Sequence, residues 1–524
     1  MRLKMMRMTF AGKIVMFGLF ITLVLGGTWL AGGFGALKEM TAPKNDGVSS
    51  GIVEKGNSKN TKSSDEINIS IDEWIGWKSI IDANGGLTTQ KGSIYDNLGI
   101  KVNISVINDA NQSSNALIKG SIDGAGYTVN RYAFLQPKFK ENSVDVTMPF
   151  ITNFSSGGDG IIASQDISNI EDLVGKKIAV PRFSEAQTLV EWLLAKSELS
   201  EAQITGIRDS MVMFDTPDEA AKAFFGGQVD AAATWQPYLS QAQETTGAKL
   251  LFSTKIAENI ILDGIVFRQD YLDKNTESVA KFVEGALEAM DLYTTEFDPI
   301  KATMPLFATE SDENIVAMAA DAKLSTFSEN KILLKETALD LFSDMSNIWL
   351  ALGENADPDA APEMFTTKVI DMLDGKFDDI GVSNKPVFTD EQRDTAKQVE
   401  NAEALLKQST TIEFQPNSAA FVDSSEASKA LNEFVKTAQI LNGSIIQIEG
   451  NIVDVGDTKN NSEAGVKLSE QRAKTVATYL QSQGVDPTRF VIVGNGVSNQ
   501  IAPNDSPANM EKNRRTDIFF KVVE

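Results

Sequence analysis

From Ile67 to Gly375 short β-rich runs alternate with amphipathic helical stretches, a rhythm that restricts this part of the chain to the α/β class. Ile67–Ile71, Lys101–Ile107, Lys176–Val180, Met211–Phe214 and Asp230–Thr234 read as strands. Ala186–Ser197 and Pro217–Gly227 read as helices, the second stopped by Gly226-Gly227. The alternation predicts largely parallel sheets, and a segment of this length predicts two lobes.

Composition excludes more than it assigns. The net charge of −24 argues against nucleic-acid binding, which needs clustered Lys and Arg. The chain has neither Cys nor His. That removes disulfides, thiol nucleophiles, Cys- or His-ligated metal, a lipid-modified cysteine and the usual proton shuttle near neutral pH. A non-enzyme without cofactor or metal is the expectation, with carboxylate catalysis as a rival that no paired-carboxylate motif supports.

Residues 1–13 are basic (Arg2, Lys4, Arg7, Lys13) and residues 14–37 carry no charge. A helix of that length at ~1.5 Å per residue spans roughly 36 Å, enough to cross a bilayer with some tilt. The basic flank belongs in the cytoplasm, so the rest of the chain is expected outside the cell membrane as a single-pass protein. A cleaved signal peptide is the competing reading, though its apolar core would be shorter. Residues 38–66, poor in apolar side chains, read as a flexible linker. Residues 388–410 read as a connecting helix opened by a Thr389/Gln392 capping box.

Asp159–Leu194, with Asp172-Leu173-Val174-Gly175-Lys176-Lys177 before a strand, a polar turn and a helix, resembles the periplasmic binding proteins of ABC importers, nitrate/sulfonate/taurine type. Ala223–Gln243 resembles that group's Gly-x-Val-Asp-Ala, strand, aromatic-x-Pro-Tyr element, and Gly120–Phe134 resembles its counterpart in the first lobe. The resemblance implies a two-lobed, type II clamshell over residues 67–387 that closes on a small molecule, with an ABC permease as a partner. In α/β sheets ligands sit beyond the C-terminal strand ends, where helix N-termini favour anions. Trp74, Trp77, Tyr127, Thr128, Arg182, Phe183, Ser184, Trp235 and Asp263 fall at such ends and are the candidate ligand residues. Arg182 suits a small organic anion, the aromatics suit an apolar or cationic group, and Asp263 suits an amine.

The last stretch, residues 411–524, carries Ile412-Glu413-Phe414, Leu468-Ser469-x-x-Arg472-Ala473, Gly484-Val485-Asp486, Gly494-x-Gly496 and Asn513-Arg514-Arg515. This closely resembles the OmpA-like domain, which implies a small α/β sandwich that binds peptidoglycan without a covalent bond. By that resemblance Arg472 meets the charged end of the stem peptide, with Asn451, Asp454, Asp457, Asn513 and Arg514 as further candidates. The family's aspartate has no direct match: Val453 stands where it is expected, with acids at 454 and 457. The expected whole is a membrane-anchored extracytoplasmic solute-binding protein that also grips the cell wall. The alternative is a structural tether or sensor whose clamshell binds no transported solute.

Overall fold

The structure, a computed structural model, describes residues 65–377, 404–453 and 463–521. The predicted membrane helix over 14–37 and most of the 38–66 linker lie outside the described residues, and among those that are described no helix is long and apolar enough to cross a membrane.

The chain enters through β1 (Glu66–Ile71), followed by helix α1 (Lys78–Asn84), β2 (Lys101–Val106), β3 (Gly124–Thr128) and helix α2 (Val129–Glu141). β4 (Val146–Thr147) and β5 (Ile151–Ser155) follow, and residues 156–158 cross into a second lobe. There lie β6 (Asp159–Ser164), β7 (Ile178–Pro181), helix α3 (Glu185–Lys196), β8 (Met211–Phe214), helix α4 (Pro217–Phe225), β9 (Ala231–Trp235) and β10 (Ala248–Ser253). Residues 254–261 cross back to β11 (Leu262–Arg268) and β12 (Ala322–Leu324) in the first lobe, and helix α5 (Thr337–Ala351) packs on α2 and α3. The first sheet runs β12-β5-β11-β3-β1-β2, with β4 on β11, and the second runs β10-β6-β9-β7-β8. Two sheets joined by two crossings are the two lobes that the alternation predicts.

The expectation of largely parallel sheets is corrected. β1 pairs parallel with β2 and β3, and β7 with β8 and β9. β11 runs antiparallel to β3 and β5, and β6 antiparallel to β9 and β10. The reason is connectivity: β6 and β11 are the strands that arrive from the opposite lobe, so they enter without a helical crossover and from the other end. Both carry the same triplet at their start, Asp159-Gly160-Ile161 in β6 and, one residue in, Asp263-Gly264-Ile265 in β11.

The expected connecting helix over 388–410 is corrected over its last seven residues. Residues 388–403 lie outside the described residues, and Ala404–Thr410 is a strand, β13. Leu405 and Leu406 are buried and the run pairs antiparallel with a later strand, in register from Leu406 to Thr410 after an irregularity at Leu405, so the ladder decides a segment whose local pattern suited a helix. Helix α6 (Ser424–Ile440), β14 (Ile445–Gly450), helix α7 (Glu463–Ser482), β15 (Phe490–Gly494) and β16 (Thr516–Lys521) complete a sheet of order β13-β16-β14-β15 covered by α6 and α7. Gly450 and Gly494 let α7 lie close on the sheet: a Cβ on Gly450 would fall on the Ser469 carbonyl oxygen, and one on Gly494 would meet Glu470 Cβ at 2.8 Å.

Candidate functional site

Two helices start at the seam between the lobes. Thr128 caps α2 by accepting the Arg131 N–H at 3.0 Å, and Ser184 caps α3 by accepting the Gln187 N–H at 3.2 Å. Their first turns meet across the seam. Arg131 Nη2 lies 2.9 Å from Glu185 Oε2, Asn130 Nδ2 donates to Thr188 Oγ1 at 3.0 Å, and Phe134 stacks on Phe183 at 4.7 Å with Trp349 of α5 beside them. The lobes are therefore closed on one another along α2 and α3.

Behind this contact lies a concentration of buried acid. Asp72 follows β1, Asp159 opens β6, Asp263 lies at the start of β11 and Glu185 opens α3. Asp159, Asp263 and Glu185 are 5%, 4% and 7% exposed. Burial pushes Asp159 up to about 7, with repulsion from Glu185 adding to it. Burial, then the charges of Asp72, Asp159 and Glu185, push Asp263 well above the usual carboxylate range. Asp72 is raised by burial and by Glu185, against the indole N–H of Trp77 donated at 2.6 Å and the charge of Arg131. Burial opposes the Arg131 charge, but Glu185, Asp72 and Tyr127 outweigh it and hold the guanidinium's pKa up. Arg131 and Glu185 balance one another. Among the described residues the other three carboxyls have only neutral donors: Trp77 for Asp72, Ser155 for Asp159 at 2.7 Å, and for Asp263 the indole of Trp74, which also donates to Asn153 Oδ1 at 3.0 Å. Among the described residues no three acidic side chains converge closely enough to hold a metal ion.

The candidate ligand residues separate into groups. Trp74 and Asp263 lie together; Trp74 rests against Gly158 of the first crossing, where a Cβ would strike its ring. Trp235 is half-buried at the end of β9, paired in register with Asp159. Phe183, at φ 55°, belongs to the interlobe aromatic stack. The others have structural work. Trp77 is 1% exposed, in the core against Gly126. Tyr127 is buried and bonded to Ser113 at 2.9 Å, while Thr128 and Ser184 serve as caps. Arg182 is exposed. Sequence reasoning missed Asp72, Asp159, Glu185 and Arg131. The available signal was the repeated Asp-Gly-Ile: an acid opening an otherwise apolar strand has to be accounted for by its surroundings.

In the C-terminal sheet domain Arg472, on α7, is nearly buried over the Phe414 ring at 4.8 Å, and its Nε donates to the Ser418 carbonyl at 3.1 Å. Burial, then the nearby Arg514, lowers its pKa. Arg514 is exposed, and neither guanidinium has a carboxylate partner among the described residues. Asn451 bonds Asp517 at 3.0 Å, and Asn513 is enclosed by Ile501, Ala502 and Asn504, so both brace loops. Arg515 forms a buried two-pronged pair with Asp517, both contacts at 2.9 Å. Asp454 and Asp457 lie outside the described residues.

Residues 87–296 match the NMT1/THI5-like family model and residues 413–514 match the OmpA family model. The chain joins an NMT1/THI5-like domain to a C-terminal OmpA domain. The NMT1/THI5-like part is 29% identical over 208 residues to a Bacillus subtilis protein named as a candidate aliphatic sulfonates-binding protein, covering 35% of this chain and 61% of that one. The OmpA domain is 32% identical over 116 residues to the peptidoglycan-associated lipoprotein of Pseudomonas putida, covering 22% of this chain and 66% of that one. Among solved structures, the periplasmic aliphatic sulphonate binding protein SsuA from Escherichia coli aligns with a TM-score of 0.48 at 17% identity, over 59% of this chain and 99% of that chain.

Proposed function

We propose that the chain is an extracytoplasmic solute receptor, anchored in the membrane through residues 14–37, that closes its two lobes on a small organic cation and holds peptidoglycan through its OmpA domain. The carrying observation is the pair of buried acids Asp159 and Asp263 beside the half-buried Asp72, opposed among the described residues only by an Arg131 already paired with Glu185. An ionised carboxylate buried without a counter-charge is strongly disfavoured, so these groups either keep their protons or receive a positive charge. An ammonium group on a solute would let them ionise, and Trp74 and Trp235 offer ring faces to it. This reading sets aside the expected anion contact at Arg182, which is exposed, in favour of the acids at the seam. The sulfonate in the relatives' names belongs to those proteins.

The wall-binding part of the reading is supported by the OmpA family match and by Arg472 and Arg514, two neighbouring guanidiniums suited to a peptide carboxylate. An ABC permease is the expected recipient of the solute.

The test is thermal stabilisation of the whole chain by alkylammonium, diamine and alkanesulfonate panels. A ligand that binds only the folded state adds about 2.7 kcal/mol at a hundred times its Kd. Ammonium compounds are expected to raise the transition, to release protons on binding near pH 7, and to lose their effect in Asp263→Asn. Stabilisation by sulfonates with none by ammonium compounds refutes the cation reading. No stabilisation by any panel favours the structural tether.

A further inference from the structure

The OmpA domain is seated on the hinge of the clamshell. The crossing from β10 to β11 presents the Ile256 carbonyl, which accepts the Gly443 N–H at 3.0 Å, and the Glu258 N–H, which donates to Asn442 Oδ1 at 3.2 Å. Glu258 also ties the two crossings together, since its Oε1 accepts the Ser156 hydroxyl at 2.8 Å. The turn that makes this seat is rigid: buried Arg489 donates to the carbonyls of Ala438, Leu441 and Ser444. A second patch joins the OmpA domain to the end of α3. Lys196 pairs with Glu433 at 3.4 Å, Gln408 Nε2 donates to the Lys196 carbonyl at 3.0 Å, and Lys407 pairs with Glu198 at 3.1 Å. Asp344 of α5, the helix packed on both α2 and α3, feels the charges of both Lys196 and Lys436. The domain thus touches the hinge and the far end of α3 in the second lobe.

Opening the jaws means rotation about residues 156–158 and 254–261, which displaces Ile256 and Glu258 relative to Lys196. One rigid body cannot keep all of these contacts through that rotation. We propose that the seated OmpA domain is a latch that favours the closed clamshell, so that solute occupancy and the position of the wall-binding domain are coupled. Such coupling is reciprocal: whatever shifts the seat shifts solute affinity, and solute closure shifts the seat. The proposal rests on the two lobes moving as jaws and is independent of the charge of the solute.

The chain has no cysteine, so two can be introduced for specific spin labelling. Lys119→Cys in the first lobe and Gln228→Cys in the second are both exposed positions. Pulsed electron resonance on the full, solute-free chain reports their separation. A single narrow distribution is expected from the parent. Lys196→Ala with Asn442→Ala removes seat contacts that lie outside the OmpA core and is expected to raise the share of longer separations several-fold. Gly443→Val, whose Cβ would fall 2.8 Å from Ile256 Cα, is expected to do the same. Retention on purified sacculi equal to the parent's reports that the OmpA fold survives in each variant. Unchanged distributions in both variants, or a broad distribution in the parent, overturn the latch. Failure of ammonium binding leaves this result untouched, so the two readings fail separately.

Discussion

Asp159→Asn tests the buried acid cluster through stability alone, before any solute is known. Below about pH 3.8 the Asp159 carboxyl is protonated in folded and unfolded chains, and it sets no pH dependence. Between 3.8 and about 7 the unfolded chain releases the proton while the folded chain keeps it, so folding is penalised as pH rises. At about 1.36 kcal/mol per unit the penalty is complete above pH 7 at about 4 kcal/mol, and at pH 5 it is under half of that. Asparagine cannot ionise, and its carbonyl oxygen can still accept from Ser155. The variant is therefore expected to be more stable than the parent at pH 8, with the advantage shrinking by about 3 kcal/mol at pH 5. Urea unfolding followed by tryptophan fluorescence at the two pH values measures this; at roughly 2–4 °C per kcal/mol, melting should show it as well. An Asp159→Asn variant equally destabilised at pH 5 and pH 8 refutes the reasoning, since that result would mean an ionised and already compensated carboxylate.

Arg472→Ala is expected to lose most retention on purified sacculi without loss of folding, and a variant retained as well as the parent removes Arg472 from the wall contact. Gly450→Ala places a Cβ on the Ser469 carbonyl and must push α7 off the sheet, so the OmpA domain should melt several degrees lower and bind sacculi more weakly. Lys78 and Asp82 form a fully buried ion pair at 2.5 Å. Lys78→Met leaves a lone buried acid and should cost about 3–5 kcal/mol, while the double change to Met and Leu should recover most of that in the same unfolding assay.

Local sequence determined the elements and their ends. Met211–Phe214 forms a strand with the predicted bounds, and α3 and α4 start within a residue of theirs, because periodicity and capping act over a few residues. The OmpA motifs singled out Arg472 as a candidate for the same reason: they are short and contiguous. Tertiary structure decided everything that depends on who lies opposite. β13 is a strand because β16 pairs with it, the sheets are mixed because β6 and β11 arrive from the other lobe, and Trp77 is core because Gly126 leaves room for its ring. The character of the cleft was decided there as well. Asp72, Asp159, Glu185 and Asp263 are scattered over nearly two hundred residues, and each alone is an ordinary acid. Only the folding of two lobes onto one seam buries Asp159, Glu185 and Asp263 together and half-buries Asp72, and burial, the largest cause of the shifts at Asp72, Asp159 and Asp263, cannot be read from neighbours along the chain.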